Sequence, residues 1–291
     1  MLVRPLTSLF AAEATGVDLR DPPTAELVAQ VDAAMNRYAV LVVRDQRIDD
    51  DQQMAFGSAL GPLEPMPAQV GIEKQRLKHR EMVDISNIDV DGSLFAANDR
   101  RRMFNLGNQL WHTDSSFKAT PAKYSMLHAR EIPPEGGQTE FADMRAAWDA
   151  LPEATRKKIE NMVCDHSLIF SRALLGFDAF TEEEQKTFAP VPQRLVRRHA
   201  GSGRRSLYLA AHIGGIHGMP RPDAMMLIRD LTEHATQREF VYRHEWRQYD
   251  LVIWDNRCTM HRGRAYDDQR YKRDMRRVTL EDTAPTLEQP A

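Results

Sequence analysis

Cysteine is scarce in this sequence. The 291 residues contain only two cysteines, Cys164 and Cys258, too few for a disulfide scaffold or a four-cysteine zinc site. The sequence also lacks any run of about 18 apolar residues, which argues against a transmembrane helix. Its first ten residues, interrupted by Pro5, lack the continuous apolar region of a secretory signal. These absences predict a reduced, cytoplasmic protein.

An excess of charge of either sign is lacking as well. The chain has 39 basic and 42 acidic residues, which gives a net charge of −3. This balance gives no indication of nucleic acid or of an anionic membrane as a partner. It says nothing against a small organic anion, because a few clustered arginines do not show in the total charge.

The hydrophobic pattern indicates one domain over residues 1–291, mainly β with flanking helices. Apolar spacing predicts helices over 24–37 and 49–60, with a buried β-branched strand at 38–44 between them. Short strands mixed with separated helices favour an antiparallel β core with helices packed outside it. The other predicted elements are helices at 144–163, broken at Pro152, and at 222–235, and strands at 206–210, 239–243, 250–255 and 278–280.

Two segments, at about 65–107 and 165–195, lack clear periodicity and are predicted to be mobile insertions. A long segment without regular structure inside a globular chain is often a lid over a functional site. A solvated surface loop is the alternative explanation for the first segment.

Three residues, His112, Asp114 and His261, form a candidate metal site. In a strand, side chains two positions apart project from one face, so His112 and Asp114 can reach the same ion. His261 follows a hydrophobic strand and adds a second imidazole. Two imidazoles and one carboxylate form the facial triad of iron(II) oxygenases, which leaves coordination positions open for a cosubstrate and O₂.

Each of these signals also has a simpler explanation. A His-x-Asp tripeptide occurs by chance in many proteins, and His261 is equally well explained as a buried histidine hydrogen-bonded near a turn. Zinc accepts the same three ligands, although the chain has no His-Glu-x-x-His motif. A zinc-dependent hydrolase and a catalytically silent metal-binding jelly roll therefore remain alternatives to an oxygenase.

The residues after His261 are rich in arginine and end in the strand-like segment 278–280. A solvated basic face is the simplest explanation of such a run. Strand alternation, however, sends Arg276 and Arg277 to opposite faces, so at least one arginine should point inward. Arg273 lies four residues before Arg277 and shares its face in a regular strand. A buried arginine needs an anion, and a carboxylate matches its geometry best.

Several blocks of the sequence are long and distinctive, above all Asn-Gln-Leu-Trp-His-Thr-Asp-Ser-Ser-Phe at 108–117. The other blocks lie at 41–46, 51–56, 61–64, 84–87, 136–147, 199–204, 234–244, 254–258 and 261–264. Together they span nearly the whole chain. They resemble the taurine dioxygenase-like family of 2-oxoglutarate-dependent oxygenases and, within it, the 2,4-dichlorophenoxyacetate dioxygenases.

The resemblance implies a double-stranded β-helix (jelly roll) core. It implies Fe(II), 2-oxoglutarate and O₂ as cofactor and cosubstrates, with His112, Asp114 and His261 as the iron ligands. This family commonly forms symmetric assemblies, so a homo-oligomer is expected.

The resemblance also implies roles for residues around the metal. Thr139 and Arg273 would bind the distal carboxylate of 2-oxoglutarate, and Arg277 would hold the acidic group of the substrate. Asn108 falls where the taurine enzymes contact their substrate.

The arginine assignment depends on one apparent insertion. The spacing after His261 is one residue longer than the family's usual arrangement. Alignment through residues 276–279 selects Arg273 and Arg277, whereas an ungapped count selects Lys272 and Arg276. The arginine roles therefore stay open between these two pairs.

Other residues near the predicted site have structural explanations as well. Thr139 follows two glycines and suits a turn-to-strand junction, while Trp111 and Cys258 suit core packing. The histidines considered for a substrate pocket, each of which is more often structural, are His199, His212 and His217.

Together these features predict an oxidoreductase that hydroxylates a small carboxylate substrate. By the resemblance, this substrate is an aryloxyalkanoate such as 2,4-dichlorophenoxyacetate. Hydroxylation beside the ether oxygen then releases a phenol and glyoxylate, together with succinate and CO₂. A sulfonate, an alkyl sulfate and an arylalkenoate are alternative substrates for the same chemistry.

Overall fold

The computed structural model describes residues 1–65 and 76–290. Fifteen strands lie within these residues: β1 (Leu2–Pro5), β2 (Ala12–Thr15), β3 (Val40–Val43), β4 (Met82–Ser86), β5 (Ala122–Glu131), β6 (Thr139–Asp143), β7 (Val163–His166), β8 (Val191–Arg194), β9 (Val196–Arg198), β10 (Arg205–Leu207), β11 (Ile213–Ile216), β12 (Val241–His244), β13 (Leu251–Asp255), β14 (Thr259–Gly263) and β15 (Asp274–Glu281). The α-helices of the same residues are α1 (Ala25–Tyr38), α2 (Asp50–Leu60), α3 (Arg100–Asn105), α4 (Met144–Ala150), α5 (Glu153–Ile159), α6 (Leu168–Ala173), α7 (Glu182–Thr187) and α8 (Arg221–Ala235).

The strands form one large sheet and three small ones. The large sheet has seven strands in the order β1-β2-β3-β13-β5-β15-β4, and a three-stranded sheet has the order β12-β6-β14. All pairs in these two sheets are antiparallel except β2 with β3. The architecture is therefore the predicted antiparallel β core with helices around it.

Both faces of the large sheet are buried, because the central strands alternate apolar side chains between two hydrophobic clusters. On one face, Leu41 and Ile253 pack in a cluster that includes Met35 of α1. On the other face, Trp254 packs against Phe141 of β6, with the ring centres 5.5 Å apart. This second cluster joins the large sheet to the β12-β6-β14 sheet and supports the strands that carry the candidate site.

The predicted N-terminal helices are confirmed, and their starts have clear local causes. The side chain of Thr24 accepts a hydrogen bond from the backbone of Leu27 and caps α1. At α2, Asp49 and Gln52 form a reciprocal capping box. The predicted helix at 144–163 is two helices, α4 and α5, which are separated at Leu151 and Pro152.

The two segments predicted to be insertions contain more regular structure than their sequences indicate. The first includes β4 and α3, and its residues 66–75 lie outside the described part of the chain. The second contains α6, α7 and β8 and the end of β7. These elements are only four to six residues long, too short for a clear periodic pattern.

None of the helices within residues 1–65 and 76–290 is long and apolar enough to cross a bilayer.

Candidate active site

Three buried side chains from two distant parts of the chain meet at one point, and we call them the triad: His112, Asp114 and His261. Their ligand atoms, one from each residue, lie within 4.8 Å of one another. The Nε2 atom of His112 is 3.8 Å from Asp114 Oδ1, and that of His261 is 3.6 Å from Asp114 Oδ2. Two ligands bound about 2.2 Å from one ion lie at most about 4.4 Å apart, so these two separations are compatible with one shared ion.

Backbone pairing brings the two histidines together. The amide of His112 donates to the carbonyl of His261 at 3.0 Å, and the amide of His261 donates back at 2.8 Å. His112 forms this single bridge only, and Asp114 begins a turn. The predicted strand geometry at 112–114 is therefore wrong, and the two side chains converge because the chain bends after the bridge.

The protonation states of the triad suit a cation. The Nδ1 of His112 donates to the carbonyl of Leu110 at 2.7 Å, which leaves the lone pair on Nε2. Burial lowers the pKa of both triad histidines and keeps them neutral. For Asp114, burial opposes ionisation, but the charges of Arg277 and the two imidazoles outweigh it and lower the pKa to about 2. The resulting set, two neutral imidazoles and one carboxylate, is the one that a facial triad requires.

Two residues that the sequence did not single out fix the orientation of Asp114. Ser125 on β5 donates to Asp114 Oδ2 at 2.8 Å and accepts a hydrogen bond from the side-chain amide of Asn256 at 2.9 Å. The side-chain oxygen of Asn256 accepts from the backbone amide of Asp114 at 3.1 Å. Asn256 lies within the block 254–258, but no spacing rule gives a serine or an asparagine this role.

A cavity of about 120 Å³, which we call the smaller cavity, opens beside the triad and is lined by His112, His261, Thr139 and Arg273 among others. The indole of Trp246 donates to Thr139 Oγ1 at 3.0 Å, so the hydroxyl proton of Thr139 is left to donate elsewhere. Arg273 is buried, and its Nε has no hydrogen-bond partner within the described residues. A hydroxyl and an unpaired guanidinium on one wall are suitable donors for a carboxylate.

A second cavity of about 180 Å³, which we call the larger cavity, reaches the triad at His112 and Asp114. Asn108 and Arg277 line both cavities, and Arg277 Nη1 donates to Asp114 Oδ1 at 2.6 Å. Much of the wall is apolar or aromatic, with contributions from Leu77, Ile85, Phe95, Phe104, Phe117 and Phe188. The larger cavity can therefore enclose an aromatic ring beside a polar end.

The two pairs of basic residues between which the sequence could not decide lie in different surroundings. Arg273 and Arg277 both line the smaller cavity. Lys272 is exposed, and Arg276 forms an ion pair with Asp274 on the opposite face of β15. Thus the alternation of Arg276 and Arg277 is as predicted, and the gapped alignment selects the two arginines that lie at the cavities.

Of the three histidines considered for a substrate pocket, His212 lines the larger cavity. His199 is buried against Asp255, and His217 forms an exposed pair with Asp165 at 2.8 Å. His199 and His217 thus have the structural roles that were the alternative explanation.

A second buried group of ligand-type side chains, His199, Asp255 and Cys258, lies at the turn between β13 and β14. Its carboxylate already binds two cationic groups, because Asp255 Oδ2 is 2.7 Å from Arg257 and 2.9 Å from His199 Nε2. Both oxygens of Asp255 are used by these partners. The group therefore holds the turn that leads into β14 and His261.

The buried ion pair between His199 and Asp255 predicts that the protein loses stability at alkaline pH. Burial disfavours a charged His199, but the Cys258 sulfur and the Asp255 carboxylate outweigh burial and raise the pKa of His199 from 6.5 to about 9. Arg257, which binds Asp255, and Ser202, which contacts His199 Nδ1, complete its polar surroundings. The charged His199 therefore adds up to about 3 kcal/mol to the free energy of unfolding. This stabilisation is complete below pH 6.5 and is lost as the pH rises through about 9.

Urea unfolding of the metal-free protein at about pH 6 and about pH 10 measures this loss. The variant His199→Gln lacks the titrating imidazole and should lose this component of the pH dependence. Equal pH dependence in the variant and the unsubstituted protein would contradict the assignment.

Two imidazoles and one carboxylate in an antiparallel β core form the facial triad of the mononuclear non-haem iron oxygenases. The chain belongs to the taurine catabolism dioxygenase TauD, TfdA family, whose family model matches residues 2–279.

Individual relatives are similar over nearly their whole length. The chain is 45% identical over 284 residues to the alpha-ketoglutarate-dependent 2,4-dichlorophenoxyacetate dioxygenase of Cupriavidus pinatubonensis, which covers 98% of this chain and 99% of the relative. It is 36% identical over 273 residues to the (S)-phenoxypropionate/alpha-ketoglutarate-dioxygenase of Sphingobium herbicidovorans, over 91% and 90% of the two chains. The crystal structure of AAD-2 in complex with Mn(II) and N-oxalylglycine superposes with a TM-score of 0.92 at 50% identity, over 99% and 100% of the two chains.

These similarities confirm the predicted family, the jelly-roll fold and the enzyme class. The protein is an oxidoreductase of the 2-oxoglutarate-dependent dioxygenases, which use Fe(II), 2-oxoglutarate and O₂. Of the alternatives left open by the sequence, the family supports the oxygenase and not the zinc hydrolase.

Proposed function

We propose that this dioxygenase hydroxylates an aryloxyalkanoate such as 2,4-dichlorophenoxyacetate and cleaves its ether bond. In this proposal His112, Asp114 and His261 hold Fe(II), and Thr139 and Arg273 bind the distal carboxylate of 2-oxoglutarate. Asn108 and Arg277 contact the substrate. The observation that carries the proposal is the meeting of two cavities of different character at one triad.

The residues present fit the group that the family requires. The triad supplies two neutral nitrogens and one anionic oxygen, a donor set that suits iron(II) and leaves positions for other ligands. When bound, the metal supplies O₂ activation that is coupled to decarboxylation of 2-oxoglutarate to succinate and CO₂. This coupled reaction oxidises a substrate C–H bond to C–OH. Ser125 and Asn256 keep Asp114 in the orientation that such binding needs.

The smaller cavity suits a dicarboxylate that reaches the triad with one end. Arg273 and the Thr139 hydroxyl supply donors for the far carboxylate, and the rest of the wall leads to His112 and His261. N-oxalylglycine, the ligand in the AAD-2 structure, carries the same two carboxylates as 2-oxoglutarate, with an N–H in place of one methylene. A ligand of this shape therefore suits the smaller cavity.

The larger cavity suits an aromatic acid. Phe104, Phe117 and Phe188 supply a wall against which an aryl ring can pack, and Arg277 supplies a positive charge. The Cupriavidus and Sphingobium relatives are named for acids of this kind. Hydroxylation of the carbon beside the ether oxygen gives a hemiacetal, which collapses to a phenol and the corresponding oxo acid, glyoxylate in the case of an aryloxyacetate.

A substrate panel tests this proposal. With Fe(II), 2-oxoglutarate and air, 2,4-dichlorophenoxyacetate and phenoxyacetate should give succinate, a phenol and glyoxylate in equal amounts. Hexanesulfonate, hexyl sulfate and cinnamate represent the alternative substrates. The same protein loaded with zinc is the control and should give no succinate.

The panel separates the alternatives. Succinate formed only with hexyl sulfate, hexanesulfonate or cinnamate would overturn the aryloxyalkanoate assignment and keep the reaction class. Phenol release by the zinc-loaded protein without O₂ would identify a hydrolase. No succinate with any compound would favour a metal-binding protein without this activity.

A cytoplasmic location, one domain over residues 1–291 and a homo-oligomeric assembly are further parts of the proposal. Cys164 and Cys258 are both buried and free, which fits a reducing compartment. The mobility of the 65–107 and 165–195 segments also stays a prediction. Residues of both segments, including Phe104 and Phe188, line the larger cavity, as expected of lids over a site.

A further inference from the structure

A buried arginine that the sequence did not indicate lies in the wall of the larger cavity. Arg172, on α6, is only 5% exposed. Its Nη1 donates to Ser171 Oγ at 3.2 Å, and its guanidinium lies 4.3 Å from the centre of the Phe104 ring. The Nε–Nη2 edge has no hydrogen-bond partner within residues 1–65 and 76–290. Arg172 lines the larger cavity and is absent from the wall of the smaller one.

The charge of Arg172 is not balanced by the part of the chain that the structure describes. The other arginines and the lysine in this wall each have an acidic partner: Arg76 pairs with Asp84, Arg101 with Asp89, Lys118 with Glu64 and Arg277 with Asp114. Burial, followed by the charge of Arg277, lowers the pKa of Arg172 to about 10, so the group remains charged at neutral pH. A buried charge without a counterion is costly, which indicates that an anion is normally bound beside it.

We propose that Arg172 binds the acidic group of the substrate through its free Nε–Nη2 edge. The inference builds on the proposed function, since it assigns a carboxylate subsite within the larger cavity. Two parallel N–H groups on one edge match the two oxygens of a carboxylate. Arg277 is already hydrogen-bonded to Asp114 and has to share its charge, whereas Arg172 offers an edge with no competitor in the described residues.

The position of the guanidinium is fixed by close approach to the backbone at Gly107. A Cβ atom built on Gly107 would lie 2.1 Å from Arg172 Nη1 and 2.3 Å from its Cζ. Any side chain at position 107 must therefore displace the guanidinium from its place against Phe104. The variant Gly107→Ala moves the charge without removing it, and Arg172→Met removes the charge while keeping an unbranched side chain in place of the arginine stem.

Calorimetric binding to the Fe(II)- and 2-oxoglutarate-loaded enzyme without O₂ tests the subsite independently of turnover. Arg172→Met should weaken binding of phenoxyacetate by about 30-fold or more, with little change for the uncharged phenoxyacetamide or in the Kd of 2-oxoglutarate. Gly107→Ala should weaken phenoxyacetate in the same selective way, and Arg172→Lys should recover part of the loss. Arg229→Met, on the exposed side of α8, is the control and should change none of these values.

Thermal unfolding of the metal-free protein distinguishes a binding role from a structural one. Removing an unpaired buried charge should leave the Tm of Arg172→Met unchanged or higher. Equal weakening of phenoxyacetate and phenoxyacetamide, or weakening of 2-oxoglutarate alone, would overturn the inference.

The outcomes also separate the subsite from the proposed substrate. If the unsubstituted enzyme binds phenoxyacetate through Arg172 but does not hydroxylate it, the substrate assignment fails and the subsite stands. If it binds none of phenoxyacetate, cinnamate, hexanesulfonate and hexyl sulfate, the subsite itself is wrong.

Discussion

Replacing Asp114 with alanine should abolish succinate formation and tight metal binding. Asp114 is the only carboxylate of the triad, and both histidines reach it within 4 Å. Without this oxygen two neutral imidazoles remain, which cannot offset the charge of a divalent ion. The measurement is Mn(II) binding followed by electron paramagnetic resonance, together with succinate formation in the presence of Fe(II).

The best control is another aspartate that contacts a histidine. Asp165 pairs with His217 at 2.8 Å on the exposed surface, away from both cavities. Asp165→Ala should bind Mn(II) and form succinate like the unsubstituted enzyme. Substantial succinate formation by Asp114→Ala would mean that a different group of residues holds the metal.

The sequence predicts the ligand types of the triad better than their geometry. The His-x-Asp pattern and the later histidine identify the residues, but only the fold brings positions 112 and 261 together, by a two-way backbone bridge. The turn that aims Asp114 at the same point depends on contacts to Ser125 and Asn256. Ser125 lies 11 positions from Asp114 and Asn256 lies 142 positions from it, and no local sequence pattern shows either contact.

Hydrophobic periodicity identifies the long elements and misses the short ones, because only a long element shows a clear apolar face. Residues 25–38 and 50–60 are long enough to show an apolar face, and the buried strand β3 stands out by its β-branched residues. The six-residue helix α6 shows no such face, and Arg172 lies within it. A single arginine in a polar segment is most often a surface residue, and only the structure shows that this one is enclosed.

Replacing Arg273 with methionine should raise the KM for 2-oxoglutarate by about 100-fold. Arg273 is buried, and burial lowers its pKa. It also lacks a carboxylate partner among the described residues, so an anion in the smaller cavity is the group that balances its charge.

Steady-state kinetics at varied 2-oxoglutarate, with phenoxyacetate held at saturation, measures this effect. The KM for phenoxyacetate should stay nearly constant, and Arg273→Lys should recover part of the loss, because a lysine keeps the charge but not the paired N–H geometry. Lys272→Met is the matched control one residue away, since Lys272 is exposed and absent from both cavities. A rise in the 2-oxoglutarate KM for Lys272→Met but not for Arg273→Met would restore the ungapped alignment. Arg273 and Arg277 would then need another explanation for their positions in the wall of the smaller cavity.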